Sequence, residues 1–112
     1  ISLSQASVLK LLERRGPSTP GALAVAERIS PQSMGATLAS LETVGLVSRS
    51  PDPDDGRRVV MALTAAGEQA LKGVRRSREE RMARALTDGF TAEERQAIIT
   101  ALPLLDRLAR LL

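Results

Sequence analysis

Two adjacent arginines, Arg57 and Arg58, follow a run of acidic and turn-forming residues, DPDDG, at positions 52 to 56. Guanidinium groups on a projecting turn can enter the minor groove of duplex DNA, whose negative potential is strongest where the groove is narrow. Asp55 lies two residues before Arg57, so its carboxylate could orient that guanidinium through a charge-assisted hydrogen bond. These residues therefore predict a DNA-contacting turn in which Asp55 is the orienting residue.

Two other interpretations of this turn compete with DNA binding. A DPDDGRR segment on its own is equally typical of a solvated hairpin tip without a ligand. A calcium loop of the EF-hand type needs Gly at its sixth position and Glu at its twelfth, and counting from Asp52 gives Arg57 and Leu63. The calcium interpretation fails, and the choice between DNA and a solvated tip depends on the neighbouring elements.

The composition excludes most enzyme chemistry. The 112 residues include no Cys and no His, which removes thiolate nucleophiles and the commonest general base and metal ligand. No nucleophile is paired with a base among the remaining side chains, so we predict no enzyme activity, no cofactor and no metal. Phe90 is the only aromatic residue, which leaves no stacking platform for single-stranded nucleic acids. Duplex DNA is the favoured nucleic acid.

Length, charge and hydropathy indicate one small soluble domain. A chain of 112 residues can bury one core, and 16 basic against 13 acidic residues give a mild excess of +3. No segment approaches the roughly 18 consecutive apolar residues of a membrane span, and no signal-peptide pattern opens the chain. We expect a cytoplasmic protein, and because Ile1 already leads into a helical pattern, we expect a further helix upstream of it.

Three predicted helices precede the acidic turn, over residues 3–16, 17–29 and about 30–44. The first has Ser4 as a candidate N-cap, and the other two each begin with a hydroxyl N-cap followed by proline. The third ends at Gly45, which suits the left-handed residue that commonly closes a helix. LVSRS and RRVVMAL flank the acidic turn and have the alternation of strands, so they predict a β-hairpin.

The third helix has two unlike faces. Met34, Leu38 and Leu41 recur at i, i+4 and i+7, so core packing is favoured over a base contact for Met34. The opposite face is small and largely uncharged, and a helix of this size fits the major groove of B-DNA. The predicted base-edge residues are Gln32, Ser33, Ala36 and Thr37, joined by Ser40 on the same face, with Ser30, Lys10 and Arg49 nearer the phosphates.

A long helix is predicted from its N-cap Thr64 to about Leu86, where DGF breaks it. Its segment KGVRRSREERMAR could form a second polyanion-binding surface. However, Arg75 with Glu79 is an i, i+4 pair of opposite charge, and further pairs of this kind follow it. A solvated helix face is therefore the favoured interpretation of this segment.

The last predicted helix opens with Thr91 and Glu94 in capping-box spacing. Apolar residues recur along one side of this helix and form a seam. The seam could pack only within the chain, but so apolar a helix at the end of a small domain favours burial against a second subunit. The predicted dimerisation residues are Ile98, Leu102, Leu105, Leu108 and Leu112.

A helix, a short helix, a capped helix and a projecting hairpin, in this order, predict a winged helix-turn-helix, a mainly α fold with a small β-hairpin. The chain resembles the MarR family of winged helix-turn-helix regulators over nearly its whole length, most clearly over residues 30–71. The residues that match the family pattern are Leu41, Glu42, Gly45, Leu46, Val47, Asp55, Arg57, Arg58, Leu63, Thr64 and Gly67.

The resemblance implies a DNA-binding region over residues 1–63, with its recognition helix at about 30–44 and its wing at about 46–63, and a helical dimerisation region over 64–112. It also implies a homodimer that binds pseudo-palindromic DNA, usually as a repressor released by a small-molecule effector, whose identity the residues do not reveal.

The outer face of the recognition helix departs from the family pattern. Family members commonly carry a basic side chain there, whereas this chain has Ala36 and Ser40. Specificity is therefore expected to depend more on the wing and on DNA shape. The weakly charged face also suits an alternative function, a winged-helix module that binds protein without binding DNA.

Overall fold

The computed structural model describes all 112 residues, which form five α-helices and one antiparallel β-hairpin. This architecture confirms the mainly helical winged fold expected from the sequence. No helix combines the length and the apolar character needed to cross a membrane. The elements are α1 Leu3–Arg15, α2 Pro20–Glu27, α3 Pro31–Thr43, β1 Val47–Pro51, β2 Val59–Leu63, α4 Ala65–Gly89 and α5 Ala92–Leu111.

The chain divides into two compact units, Ile1–Arg75 and Arg76–Leu112. The first unit has a continuous aliphatic core to which each of its helices and strands contributes. No polar or charged side chain is buried in it, so the core needs no internal hydrogen-bond partners. Its members, all 3% exposed or less, are Val8, Leu9, Leu11, Leu12, Leu23, Ala24, Met34, Leu38, Leu41, Val47, Met61 and Leu71.

The N-terminus of α1 differs from the sequence expectation. The N-cap is Ser2 and not Ser4, because Gln5 stands three residues after Ser2 and completes a capping box. The Ser2 hydroxyl accepts from the Gln5 amide at 3.1 Å, and the Gln5 side-chain oxygen accepts from the Ser2 amide at 2.9 Å. Two backbone amides that α1 leaves unpaired are thereby satisfied.

Helix α2 begins as predicted, with Thr19 as N-cap and Pro20 at its first position, but it ends earlier than predicted. Before it, Ser18 forms a two-way bridge to Met61 of β2, with N–O distances of 3.0 and 2.8 Å, so this residue is extended. After it, Arg28 adopts a left-handed conformation with φ 57° and ψ 42°. The left-handed residue ends the helix at Glu27, two residues earlier than the apolar pattern indicated.

The end of α3 follows the sequence prediction. Gly45 has a φ of 75°, a value that glycine adopts without steric penalty. The Leu46 amide donates to the Leu41 carbonyl and the Gly45 amide to the Glu42 carbonyl, each at 3.0 Å. This Schellman ending satisfies the last carbonyls of the helix and turns the chain directly into β1.

The hairpin joins α4 through Thr64 and Gly67. Strands β1 and β2 pair from Val47 with Leu63 to Pro51 with Val59. The Thr64 hydroxyl donates to the Gly45 carbonyl at 2.7 Å and accepts from the Gly67 amide at 3.1 Å, as expected of an N-cap. A Cβ atom at Gly67 would collide with the carbonyl oxygen of Leu46, so only glycine fits this approach.

The second unit consists of the rest of α4, a short turn and α5. Thr91 and Glu94 form the predicted capping box at the start of α5. The Arg95 guanidinium donates to the carbonyls of Leu86, Thr87 and Phe90 at 3.1, 3.4 and 2.8 Å, where α4 ends. These bonds satisfy carbonyls at the end of α4, which reaches Gly89, three residues beyond the predicted Leu86. No residue of this unit is buried within the single chain.

Candidate nucleic-acid interface

The wing is the hairpin of β1 and β2 with its connecting turn, residues 52–58. The Asp52 amide donates to the Arg58 carbonyl at 3.0 Å, and the Asp52 carboxylate accepts from the Asp54 amide at 2.9 Å. Such side-chain bonds to nearby amides are the reason aspartates favour tight turns. The acidic residues therefore build the turn on which the two arginines stand.

Asp55 contacts both arginines of the turn. Its Oδ1 accepts from the Arg57 amide at 3.1 Å and from Arg57 Nε at 3.4 Å, and its Oδ2 lies 4.0 Å from Arg58 Nε. The Arg57 side chain nevertheless remains 94% exposed. The expected contact between Asp55 and Arg57 is present, and it engages Nε while the terminal guanidinium nitrogens stay available to another acceptor.

The outer face of α3, the predicted recognition helix, is exposed at Gln32, Ser33, Ala36 and Ser40, and half-exposed at Thr37. This helix contains no Lys or Arg, and Glu42 is its only charged residue. Any attraction of α3 to a phosphate must therefore come from its N-terminal amides or from neighbouring elements.

Most hydroxyls on this face already donate to the protein. Thr37 Oγ1 donates to the Ser33 carbonyl at 3.1 Å, and Ser40 Oγ donates to the Thr37 carbonyl at 2.9 Å. The Ser30 hydroxyl donates to Ser33 Oγ at 3.0 Å and caps the helix by accepting from the Ser33 amide at 3.1 Å. These hydroxyls keep a free lone pair more readily than a free hydrogen, so they suit amino groups on bases better than base or phosphate oxygens.

Gln5 of α1 is a contact of this face that the sequence did not reveal. Its Nε2 donates to Ser40 Oγ at 3.0 Å, across 35 positions of the chain. Ser40 is consequently held between Gln5 and the Thr37 carbonyl, and a DNA contact from Ser40 would have to share its oxygen. The only sequence signal was the Ser-x-x-Gln spacing at the start of α1, which also fixes the Gln5 side chain.

The two remaining cations of the predicted interface, Arg49 and Lys10, lie in different parts of the structure. Arg49 of β1 donates from Nε to Glu42 Oε2 of α3 at 3.3 Å, and its side chain is 46% exposed. The structure thus brings Arg49 to the recognition helix. Lys10 is half-buried on α1, about 140° around the helix from Gln5, so it lies away from the side of α1 that meets Ser40. Its phosphate contact stays a prediction.

The expected i, i+4 pairings on α4 are corrected by the structure, because no salt bridge joins Arg75 to Glu79 or Glu80 to Arg76 or Arg84. Arg75 does not pair with Glu79; its two terminal nitrogens bind both carboxylate oxygens of Glu13 on α1, at 2.5 and 3.4 Å. This hydrogen-bonded pair holds the pKa of Glu13 below its ordinary value. A contact across 62 positions could not be read from helical spacing, which reports only neighbours on the same helix. The following residues of α4 are exposed, as a solvated face requires.

The apolar seam of α5 is uncovered in the single chain. Leu102, Leu105 and Leu108 are 53%, 56% and 54% exposed, and Leu112 is 98% exposed. Ile98 is half-buried. Packing within the chain therefore does not account for this seam.

Two open cavities lie in the first unit. One of about 340 Å³ separates the start of α2 from the base of the wing and is lined by Thr19, Pro20, Gly21, Arg58 and Val59. A smaller one of about 220 Å³ includes Glu13 and Glu68 among its lining residues. No group of three or more carboxylates converges in a way that could hold a metal ion.

Comparison with known proteins gives a consistent result. The family model described as MarR family matches residues 1–59. An uncharacterized HTH-type transcriptional regulator from Mycobacterium bovis is 45% identical over 86 residues, which cover 77% of this chain and 60% of that protein. The chain thus spans about 60% of the length of such curated relatives. That relative is described as a transcriptional regulator and not as an enzyme.

Solved structures show the same fold. A mutant MarR from E. coli superposes with a TM-score of 0.81 at 26% identity, covering 97% of this chain and 78% of the other. A structure of mutant MarR complexed with operator DNA superposes with a TM-score of 0.69 at 26% identity, covering 96% and 75%.

Proposed function

The chain belongs to the MarR family of winged helix-turn-helix regulators, and from that premise we propose that it binds a pseudo-palindromic duplex operator as a homodimer and represses transcription. The observation that carries this proposal is the wing tip, where Asp55 engages two arginines whose side chains are 94% and 65% exposed. A pair of exposed guanidiniums on a projecting hairpin matches the negative potential of a narrow minor groove.

The recognition helix supplies a different kind of contact. Gln32 can form two hydrogen bonds with adenine, and Ala36 and the Thr37 methyl can contact a thymine methyl in the major groove. Ser33 lies at the N-terminal turn, where the base edges come closest, and the capped end at Ser30 faces phosphate. Since this face has no cation, we expect α3 to select bases and the wing to supply most of the affinity.

Dimerisation is proposed to occur through the α5 seam. Burying several leucines that are more than half exposed in one chain would gain roughly 25 cal/mol per Å² of apolar surface removed from water. We assign DNA binding to residues 1–63 and dimerisation to 64–112. The compact units divide later, after Arg75, because Gly67 and Leu71 of α4 pack into the first core.

The proposed binding is tested by titrating a labelled AT-rich duplex pool with the protein at several salt concentrations. Contacts to phosphates release counterions, so log affinity is expected to fall linearly with log salt, with a slope of about −0.9 per contact. A flat plot, or no binding at low salt, would contradict duplex binding.

The uncharged outer face of α3 also supports a second candidate, a winged-helix module that binds protein. That function predicts no salt-dependent affinity for any duplex. The same titration therefore separates the two functions.

A further inference from the structure

Arg28 has an unusual backbone for an arginine. Its φ of 57° makes it the only residue other than glycine with a positive φ; the other two such positions are Gly16 and Gly45. The left-handed conformation brings the Cβ of an L-residue close to its own carbonyl oxygen and is therefore disfavoured. A side chain kept where glycine would fit better suggests that the side chain itself has a use.

The position of Arg28 indicates what that use is. It ends α2 and lies two residues before Ser30, the N-cap of the recognition helix. Its side chain is exposed and forms no ion pair or hydrogen bond within the chain, in contrast to Arg49 and Arg57, which are both paired with acids. The guanidinium is thus unpaired next to the end of α3 that is proposed to enter the major groove.

If the Arg28 side chain served only to stabilise α2, its guanidinium would be expected to bind the carbonyls at the end of that helix. A cation at a helix C-terminus can stabilise the helix by binding its last carbonyls. Arg95 does this in the second unit, donating to three carbonyls where α4 ends. Arg28 stands at the C-terminus of α2, yet only its backbone amide, not its guanidinium, bonds to α2 carbonyls.

We propose that Arg28 is a phosphate-binding residue, which supplies at the turn before α3 the positive charge that the recognition helix lacks. The proposal rests on the proposed duplex binding. A guanidinium bound to a backbone phosphate fixes the register of the helix on DNA without reading sequence. Arg28 should therefore affect affinity for specific and non-specific duplexes alike.

The test uses Arg28→Gly, which removes the charge and relieves the backbone at once. We expect its melting temperature to equal or exceed that of wild type, while duplex affinity falls about tenfold and the salt slope becomes shallower by about 0.9 for each lost phosphate contact. Arg28→Lys keeps a charge and should retain most of the slope. Arg14→Gln is the matched control: Arg14 is exposed and lies about 180° around α1 from Gln5.

The outcomes separate the two proposals. Salt-dependent binding by wild type with an unchanged affinity and slope in Arg28→Gly would overturn the role of Arg28 alone. A lower melting temperature with an unchanged slope would also overturn it, making Arg28 a residue that stabilises α2. Absence of salt-dependent binding by wild type would overturn the proposed function and the role of Arg28 with it.

Discussion

The two compact units differ in how far their apolar side chains are buried. In the first unit, large residues such as Leu9, Met34 and Met61 are completely buried. In the second unit no side chain is buried, and the leucines of α5 are more than half exposed. The first unit completes its own core, whereas the second exposes apolar surface whose hydration is unfavourable. One chain therefore carries a finished winged helix and an interface that a second copy is proposed to cover.

The first unit should be intolerant of any change at its tightest contact. Gly67→Ala places a Cβ against the Leu46 carbonyl and the Leu63 side chain, so we expect a loss of about 3 kcal/mol or more in the free energy of unfolding. Gly73→Ala is the control, because nothing lies within 4 Å of its added Cβ and alanine favours helix by about 0.5–1 kcal/mol. Urea unfolding of both variants measures the contrast, and equal stabilities would show that the approach at Gly67 is not tight.

The second unit should respond through association and not through the fold of the first. Leu105→Glu puts a charge into the seam, and we expect dimerisation to weaken by about 2–4 kcal/mol, with monomers at micromolar concentration in sedimentation. Gln96→Glu introduces the same carboxylate about 180° around α5 and should stay dimeric. A wild type that is monomeric, or two variants that behave alike, would exclude the seam as the interface.

The wing should affect DNA affinity and neither stability nor association. Arg57→Ala removes a side chain that is 94% exposed, so we expect an unchanged melting temperature and dimer but about tenfold weaker duplex binding. Asp54→Ala, in the same turn, removes a carboxylate that bonds to neither arginine and should not weaken binding. Unchanged affinity of Arg57→Ala in a titration at fixed salt would refute the minor-groove role.

The smallest effect is expected at the ion pair between Glu13 and Arg75. The hydrogen bond from Arg75 lowers the pKa of Glu13 in the folded chain from an ordinary value of 4.5. A depressed pKa stabilises the fold above the unfolded pKa, and this contribution is lost as the pH falls through the folded value. The melting temperature of wild type should therefore be higher than that of Glu13→Gln at neutral pH, and the difference in melting temperature should shrink below about pH 4.5. Glu79→Gln should show no such difference, and a constant gap at all pH values would contradict the assignment.

Local signals predicted the elements and much of the candidate interface. Thr19, Ser30 and Thr91 cap helices as expected, Gly45 ends α3, and Asp55 contacts Arg57. Each of these features depends on residues only a few positions apart, so the chemistry that produces it is visible in the sequence.

The features that escaped prediction depend on the tertiary structure. Glu13 meets Arg75, and Gln5 meets Ser40, only because α1 packs beside other elements. The left-handed conformation of Arg28 has no glycine in the sequence to signal it. Sequence patterns specify which faces are apolar, but they do not specify which polar residues those faces bring together.

Selection of bound sequences from a random duplex pool tests most directly whether two copies act together on DNA. Two recognition helices related by a dimer axis should enrich a two-fold symmetric motif whose half-sites lie about one helical turn, 10–10.5 base pairs, apart. Enrichment of a single unpaired half-site, or of no sequence, would contradict a homodimeric regulator bound to a pseudo-palindromic operator.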